Sequence, residues 1–248
     1  MLRFFSVLLL CVGVSACTGN QTTDFNDNLG GSALEIFSDA EEAASRKRYQ
    51  EAIDLYGEVE RQYPLDPLAI RAQLAKAETL LKYQKYEEAV SAFDRFLQFN
   101  PSHPETARAI YLRALAFYEQ IPDVHRDQGV TLKTQTAFNQ LITAYPETPE
   151  AIDAQAKLAF VKDQLAGHNL IIGITYQQQN RYLAAQNRFK TVIEDYPTSG
   201  QIPEAFYRLV ETSLALGLAG EAQAYAATLG YNFPDSTWYK RAYNLLTN

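Results

Sequence analysis

The stretch YEEAVSAFDRFLQFNP (Tyr86–Pro101) places a small residue, two aromatic residues and a proline at fixed intervals. Ala89, Phe93 and Phe96 stand at positions i, i+4 and i+7, which lie on one face of an α-helix. Pro101 lacks a backbone N–H and disfavours helical backbone in the residue before it. The stretch therefore predicts a helix that packs one face against a neighbour and ends just before Pro101.

The same spacing occurs five times along the chain. The five sets of small, aromatic, apolar and proline residues are Ala52, Tyr56, Val59 and Pro64; Ala89, Phe93, Phe96 and Pro101; Thr134, Phe138, Leu141 and Pro146; Ala185, Phe189, Val192 and Pro197; and Ala222, Ala226, Leu229 and Pro234. In the fifth set the aromatic position is weaker, because an alanine occupies it. A non-repetitive helical bundle with chance prolines is the alternative, and five matches in register argue against it.

A further helical stretch precedes each of these segments and carries its own small or branched residue. These residues are Ala40, Ala77, Ala114, Gly173 and Val210. The third unit departs from the regular spacing because it has a longer internal loop, EQIPDVHRDQG (Glu119–Gly129). Two helices per unit with small residues at their crossing are typical of the tetratricopeptide repeat, which is about 34 residues long. We therefore predict an all-α, right-handed α-solenoid of five tetratricopeptide helix pairs over residues 33–248, with a concave surface for partners.

The N-terminus has the composition of an export signal. Arg3 precedes an apolar run, Phe4–Ala16, which is too short for a membrane span of about 20 residues. The residues VSAC (Val14–Cys17) resemble the lipobox of bacterial lipoproteins, in which the cysteine is acylated and the chain is cut before it. We expect residues 1–16 to be a cleaved signal peptide and Cys17 to carry the lipid anchor. An ordinary signal peptide without lipidation is the alternative.

A polar segment follows the cysteine. Residues 21–32, QTTDFNDNLGGS, contain a glycine pair and no apolar period, so we expect residues 17–32 to form a lipidated, flexible tether. Thr18 stands where an aspartate would favour retention in the inner membrane, and this favours the outer membrane.

Charge and residue usage exclude several classes of function. The net charge is −7 and the chain has no basic run, which argues against binding to nucleic acid. The only two cysteines are Cys11, inside the signal, and Cys17, so no disulfide or metal-thiolate site is expected in the mature chain. The three histidines, His103, His125 and His168, are scattered, and no nucleophile, phosphate-loop or zinc motif occurs. We predict a protein without catalytic residues, metal or cofactor.

From Arg46 to Asn248 the chain resembles the BamD family, the tetratricopeptide lipoproteins of the β-barrel assembly machinery (BAM). The stretches that carry the resemblance are YEEAVSAFDRFLQFNPSHPE (86–105), RDQ (126–128), AFNQLITAYPET (137–148), KLAFVKDQLAGHN (157–169), YLAAQNRFKTVIEDYPTS (182–199) and NFPDSTWY (232–239). The resemblance implies a non-enzymatic subunit on the periplasmic face of the outer membrane. Such a subunit binds a BamA-type insertase and other BAM lipoproteins, and it helps to receive unfolded outer membrane proteins.

The resemblance also implies where partners bind. The C-terminal repeats contact the insertase, and Asn187 and Arg188 of "QNRF" are the candidate residues. The N-terminal repeats form a pocket for substrate segments or accessory lipoproteins, for which we select Phe37, Leu74 and Tyr111 on the first helices of their units. Two alternatives stay open: Arg188 pairs only with a neighbouring helix, and the three pocket residues only pack in the core.

The sequence departs from the family pattern at one position, and two other functions are alternatives to the one that the resemblance implies. Asn169 stands where relatives are expected to carry a glutamate, which places in question any role that needs an acidic group there. A pilotin-like lipoprotein that assists secretin or pilus assembly would use the same anchor and repeats. A periplasmic hydrolase of peptidoglycan, or its regulator, would need a catalytic motif that the sequence lacks.

Overall fold

The structure is a computed structural model that describes residues 31–247, and these residues contain eleven α-helices and no strand. The helices are α1 (Ala33–Ser45), α2 (Tyr49–Gln62), α3 (Pro67–Lys82), α4 (Tyr86–Phe99), α5 (Thr106–Tyr118), α6 (Gly129–Ala144), α7 (Pro149–Gln178), α8 (Tyr182–Asp195), α9 (Ile202–Ala215), α10 (Ala219–Asn232) and α11 (Thr237–Thr247). The predicted signal peptide and Cys17 lie outside the described residues, and so does nearly all of the predicted tether.

The first ten helices form five pairs of sequence neighbours, and each helix contacts the next one along the chain. The last helix, α11, packs against α9 and α10 and ends the array. This arrangement confirms the prediction of an all-α fold built from five tetratricopeptide helix pairs.

Each second helix of a pair ends because a proline follows it. The last residue before each proline is the C-cap, with φ between −125° and −138°, outside the helical range. These C-caps are Tyr63, Asn100, Tyr145, Tyr196 and Phe233. Two of the following helices begin at a proline behind a side-chain cap, since Asp66 accepts from the Leu68 N–H and Thr148 from the Ala151 N–H.

The small residues of the repeated pattern lie at the helix crossings. All five of those on the second helices are fully buried: Ala52, Ala89, Thr134, Ala185 and Ala222. One close crossing joins α7 and α8, where a Cβ added to Gly173 would lie 2.4 Å from a ring carbon of Phe189. Since real Cβ atoms do not approach so closely, only glycine fits there without a shift of the helices.

Helix α7 is twice as long as the other first helices and links the third repeat to the fifth. It contacts α5 and α6 near its start, and α8 and α9 further along. The long loop of the third unit packs against the middle of α7, where His168 Nδ1 lies 2.6 Å from the carbonyl oxygen of Val124. Because α7 buries different faces against successive neighbours, it has no single apolar stripe, and its length was not predicted from the sequence.

The first helices of the repeats form an inner layer. Contacts join α1 to α3, α3 to α5, α5 to α7 and α7 to α9, whereas among the described residues no second helix contacts another second helix. The array therefore curves with the first helices on its inner surface and the second helices spread apart on its outer surface.

Candidate partner-binding surfaces

An open groove of about 410 Å³ lies on the inner surface of the first three repeats. We call it the N-terminal groove. It is lined by Phe37, Glu41, Arg71, Leu74, Ala75, Glu78, His103, Pro104 and Glu105. Phe37 of α1 and Leu74 of α3, which lie far apart in the sequence, therefore meet in one groove.

Phe37 and Leu74 are also core residues. They are only 4% and 8% exposed, and Phe37 packs edge-on against Tyr56 with 5.5 Å between the ring centroids. The Arg71 guanidinium lies 4.8 Å from the centroid of the Phe37 ring, a cation–π contact. Most of the surface of both side chains thus stabilises the fold, and the remainder forms the apolar floor of the groove.

The charged walls of the N-terminal groove are only partly neutralised. Glu78 accepts two hydrogen bonds from the Arg108 guanidinium, at 3.0 and 3.2 Å. The side chains of Glu41 and Arg71 form no ion pair or hydrogen bond with any other residue between 31 and 247. The groove therefore offers an apolar floor, one free carboxylate and one free guanidinium, a combination that suits a peptide segment.

Tyr56 lies beneath the same wall and is affected by its acidic groups. Burial, and then the charges of Glu41 and Glu78, raise the pKa of Tyr56 to about 12. Its phenol therefore stays neutral under the carboxylates that face the groove.

Tyr111 does not line the N-terminal groove. Its hydroxyl donates a hydrogen bond to Asp153 of α7, so it links the third repeat to the fourth. Burial, and then Asp153, raise the pKa of Tyr111, while the hydrogen bonds from Tyr111 and then Lys157 lower the pKa of Asp153. The sequence spacing placed Tyr111 in line with Leu74, but it did not reveal this partner on α7.

Asn187 and Arg188 are exposed on α8, on the outer surface near the C-terminal end. Arg188 Nη1 donates to the side-chain oxygen of Asn169 on α7 at 3.1 Å. Arg188 thus contacts a neighbouring helix, as the alternative interpretation requires, but its partner is a neutral amide. The positive charge therefore remains available to a carboxylate on another protein.

A further set of polar and aromatic residues on the C-terminal repeats was missed by sequence reasoning. Arg208 pairs with Glu204 at 2.9 Å and with Glu211 at 3.0 Å, and the Tyr207 hydroxyl donates to Glu211 at 2.7 Å. Trp238 of α11 packs against the Tyr207 ring. We call these five residues, Glu204, Tyr207, Arg208, Glu211 and Trp238, the C-terminal cluster. Four of its members lie on α9, where helical spacing accounts for the ion pairs, but Trp238 comes from α11, and no local pattern links it to the others.

Two further properties of residues 31–247 bear on function. They hold no group of three or more His, Cys, Asp or Glu side chains placed to bind a metal ion. None of their helices combines the length and the apolar character that crossing a membrane requires.

Solved structures with similar helical arrays have low sequence identity to this chain. The tetratricopeptide domain of P58(IPK) matches with a TM-score of 0.46 and 14% identity, over 86% of this chain and 55% of that one. Pseudomonas aeruginosa pilF matches with a TM-score of 0.42 and 14% identity, over 85% of this chain and 80% of that one. At these TM-scores the likeness carries no argument about function.

Sequence comparison is far more specific. The family model of the outer membrane lipoprotein YfiO matches residues 30–229. The outer membrane protein assembly factor BamD of Rickettsia prowazekii is 37% identical over 240 residues, which cover 97% of this chain and 95% of the relative. BamD of Caulobacter vibrioides is 40% identical over 213 residues, which cover 86% of this chain and 70% of the relative. This chain therefore belongs to the BamD family of outer membrane protein assembly factors.

Proposed function

We propose that this chain is a non-enzymatic lipoprotein subunit of the BAM complex, held at the periplasmic face of the outer membrane by a lipid on Cys17. In this role it binds a BamA-type insertase and other BAM lipoproteins, and it helps to deliver unfolded outer membrane proteins. The extent and identity of the similarity to BamD proteins support this role, and so does a helical array with partner-sized surfaces on both faces.

The observation that carries the proposed insertase contact is the state of Arg188. Its guanidinium is exposed on the outer surface, and its one hydrogen bond goes to the neutral side chain of Asn169. A carboxylate on the insertase can therefore pair with Arg188 without first displacing another carboxylate. The neighbouring exposed amide of Asn187 can add a hydrogen bond to the same partner surface.

The proposed site for unfolded substrate segments or accessory lipoproteins is the inner surface of the first three repeats. Phe37 and Leu74 form its apolar floor, and Glu41 and Arg71 provide free charges beside that floor. Tyr111 extends the proposed contact surface toward α7, outside the groove itself.

Co-purification of the insertase with charge-reversed variants tests the insertase contact. Arg188→Glu should bring like charges together and weaken binding by about 2–5 kcal/mol, the range for a desolvated interfacial charge pair. The free energy of unfolding should change by no more than about 0.5 kcal/mol, because Arg188 is exposed. Lys190→Glu is the matched control, since it makes the same charge change on the same helix but on a different face.

Several outcomes would count against this proposal. Undiminished insertase binding by folded Arg188→Glu would remove Arg188 from the interface, and equal losses in both variants would indicate a non-specific effect of charge. Co-purification with a secretin in place of the insertase would favour the pilotin-like function. If Arg188→Glu lost helicity together with binding, Arg188 would instead stabilise the repeat itself.

A further inference from the structure

The wide spacing of the second helices leaves grooves on the outer surface. α4 and α6 do not contact each other, and α5 forms the floor between them. Two adjoining cavities of about 380 and 270 Å³ lie along this floor and share Phe117 and Lys133. We call the two cavities together the outer groove.

The outer groove has apolar walls that the fold leaves only partly covered. Val90 of α4, Phe117 of α5, and Val130 and Leu132 of α6 line it. Leu132, which lines the larger cavity, is 49% exposed, whereas Val90, Phe117 and Val130 are half-buried. The apolar side chains of a second chain could bury this surface and gain about 25 cal/mol for each Å² removed from water.

The two cations of the outer groove have incomplete sets of ion-pair and hydrogen-bond partners within the described part of the chain. The Lys133 side chain is exposed and has no hydrogen bond or ion pair with any described residue. Arg113 pairs with Asp94 at 2.6 Å and reaches Gln140 at 3.4 Å, but its buried Nε has no acceptor. The larger cavity therefore contains two cations and a single acid, Asp94, which Arg113 already neutralises.

The charge pattern of the walls also favours an incoming carboxylate near α6. Lys133 is the only charged residue in the whole of α6, from Gly129 to Ala144. The other acid at the outer groove, Glu87, lies on α4 and lines only the smaller cavity. A partner carboxylate beside Lys133 in the larger cavity is thus attracted by the lysine and kept apart from Glu87.

The equivalent groove between α2 and α4 provides a contrast. Its cavity is smaller, about 210 Å³, and its lysine is already paired within the chain, because Lys76 Nζ lies 3.4 Å from Glu60. Arg95 also lines this neighbouring groove without an ion pair to any described residue, but the apolar residues of the lining are Ala92 and the fully buried Phe96. The neighbouring groove thus has a free cation but no exposed apolar side chain of the kind that lines the outer groove.

We propose that the outer groove binds a short amphipathic segment of another protein. Apolar side chains of this segment pack against Phe117 and Leu132, and an aspartate or glutamate of the segment pairs with Lys133. This surface is separate from the N-terminal groove and from Arg188, so a segment bound there need not compete with the proposed substrate or insertase.

The test uses displayed random peptides of about 14 residues, enough for four helical turns, as the probe. The full chain in detergent micelles is the target, and the double variant Leu132→Gln, Lys133→Glu serves for counter-selection. Peptides enriched on the wild type should combine Leu, Ile or Phe with Asp or Glu. For one enriched peptide, Lys133→Glu should weaken binding about fivefold, the upper range for an exposed ion pair. Leu132→Gln should weaken it by a similar factor.

The matched control is Arg95→Glu, which reverses an exposed charge in the groove between α2 and α4 and should leave peptide binding unchanged. Helicity and thermal midpoints of all variants should match those of the wild type, because the substituted positions are exposed. The proposal would be overturned if no enriched peptide depended on Leu132 and Lys133, or if the enriched peptides were basic. It would also be overturned if sedimentation showed self-association that Lys133→Glu abolished, since the occupant would then be a second copy of this chain.

Discussion

The inner surface of this chain differs between its two ends. In the N-terminal groove, Glu41 and Arg71 both stand beside an apolar floor and have no ionic partner among the described residues. In the C-terminal cluster, Arg208 is held by two carboxylates and covered by aromatic rings. The same kind of repeat thus carries free charges at one end and a closed polar network at the other.

This difference indicates how one fold can separate two tasks. Free charges beside an apolar floor remain available to a ligand, whereas the charges of a closed network already neutralise each other within the chain. At the C-terminal end, Arg188 is a cation without an ionic partner among the described residues, and it lies on the outer surface instead. This difference supports our proposal that substrate segments bind the inner surface of the first repeats and the insertase binds the outer surface of the last ones.

The largest expected effects test whether the hydrophobic cores at the two ends are equally well packed. Phe93→Ala in the second repeat and Phe189→Ala in the fourth remove fully buried rings at equivalent crossings. Each should lower the free energy of unfolding by about 3–5 kcal/mol, as measured by urea denaturation. The exposed Phe99→Ala should stay within about 0.5 kcal/mol. A much smaller loss at one of the two core positions would mean that one end is loosely packed.

The next effect distinguishes the closed network from the open groove. Arg208→Met should leave Glu204 and Glu211 without their shared partner and lower the free energy of unfolding by about 1–2 kcal/mol. The expected loss is modest because both ion pairs are partly exposed to solvent. Arg71→Met, the matched change at an exposed arginine without ion pairs, should change stability by less than about 0.5 kcal/mol. Equal losses of stability in the two variants, measured by urea denaturation, would contradict the distinction.

A smaller effect concerns the turns between the paired helices. Gly217 has φ of +76°, and the equivalent turns hold Lys47, Gln84 and Asn180 at φ near +60°. Gly217→Ala should cost about 1 kcal/mol at the C-terminal end, and Gln84→Gly should gain a few tenths of a kcal/mol at the N-terminal end. Thermal midpoints of the two variants, measured at one scan rate, would show whether Gly217→Ala lowers stability and Gln84→Gly raises it. A gain from Gly217→Ala would refute the assignment of backbone strain to these turns.

The smallest expected effect is the response to alkaline pH. The pKa values of Tyr56 and Tyr207 are raised to about 12 by burial, with nearby carboxylates adding to the shift. Because the unfolded pKa is about 10, the stability from each neutral phenol is present below pH 10 and is lost as pH rises toward 12. Unfolding curves at pH 8 and above pH 10 should show a shallower loss of stability for Tyr56→Phe than for the wild type.

Tyr207→Phe is the informative counterpart to Tyr56→Phe. It should also flatten the alkaline loss, but it should cost about 1 kcal/mol at pH 8 because Tyr207 donates to Glu211. Tyr56 donates no side-chain hydrogen bond to the described residues, so Tyr56→Phe lacks this cost. An equal cost at pH 8 for the two variants would mean that the two tyrosines do not differ as the structure indicates.

The fold was predictable because its determinants are local and repeated. Small residues such as Ala52 and Ala185 and the prolines that end the second helices recur in all five repeats, and the aromatic rings, such as those of Phe93 and Phe189, recur in the first four. Such periodic patterns specify helix pairs without any knowledge of long-range contacts.

The contacts between repeats were not predictable in the same way. Tyr111 bonds to Asp153, and Arg188 to Asn169, across distances in sequence that no short pattern spans. The uninterrupted length of α7 also escaped prediction, because the helix buries different faces against successive neighbours. The sequence pattern thus selected Phe37 and Leu74, which the structure places in one groove, and their role in binding stays a prediction. The surroundings of Tyr111 and Arg188 emerged only from the packing of the helices.

The separation of the two surfaces is tested most directly by measuring both binding reactions on the same preparations. Wild type, Arg188→Glu and Arg71→Glu would be compared for affinity to the purified insertase and to an unfolded outer membrane protein, with helicity as a control. We expect Arg188→Glu to lose insertase affinity and keep substrate affinity, and Arg71→Glu to show the reverse. If either variant remained folded but lost both affinities, or lost neither, the assignment of the two tasks to opposite ends and faces of the chain would be wrong.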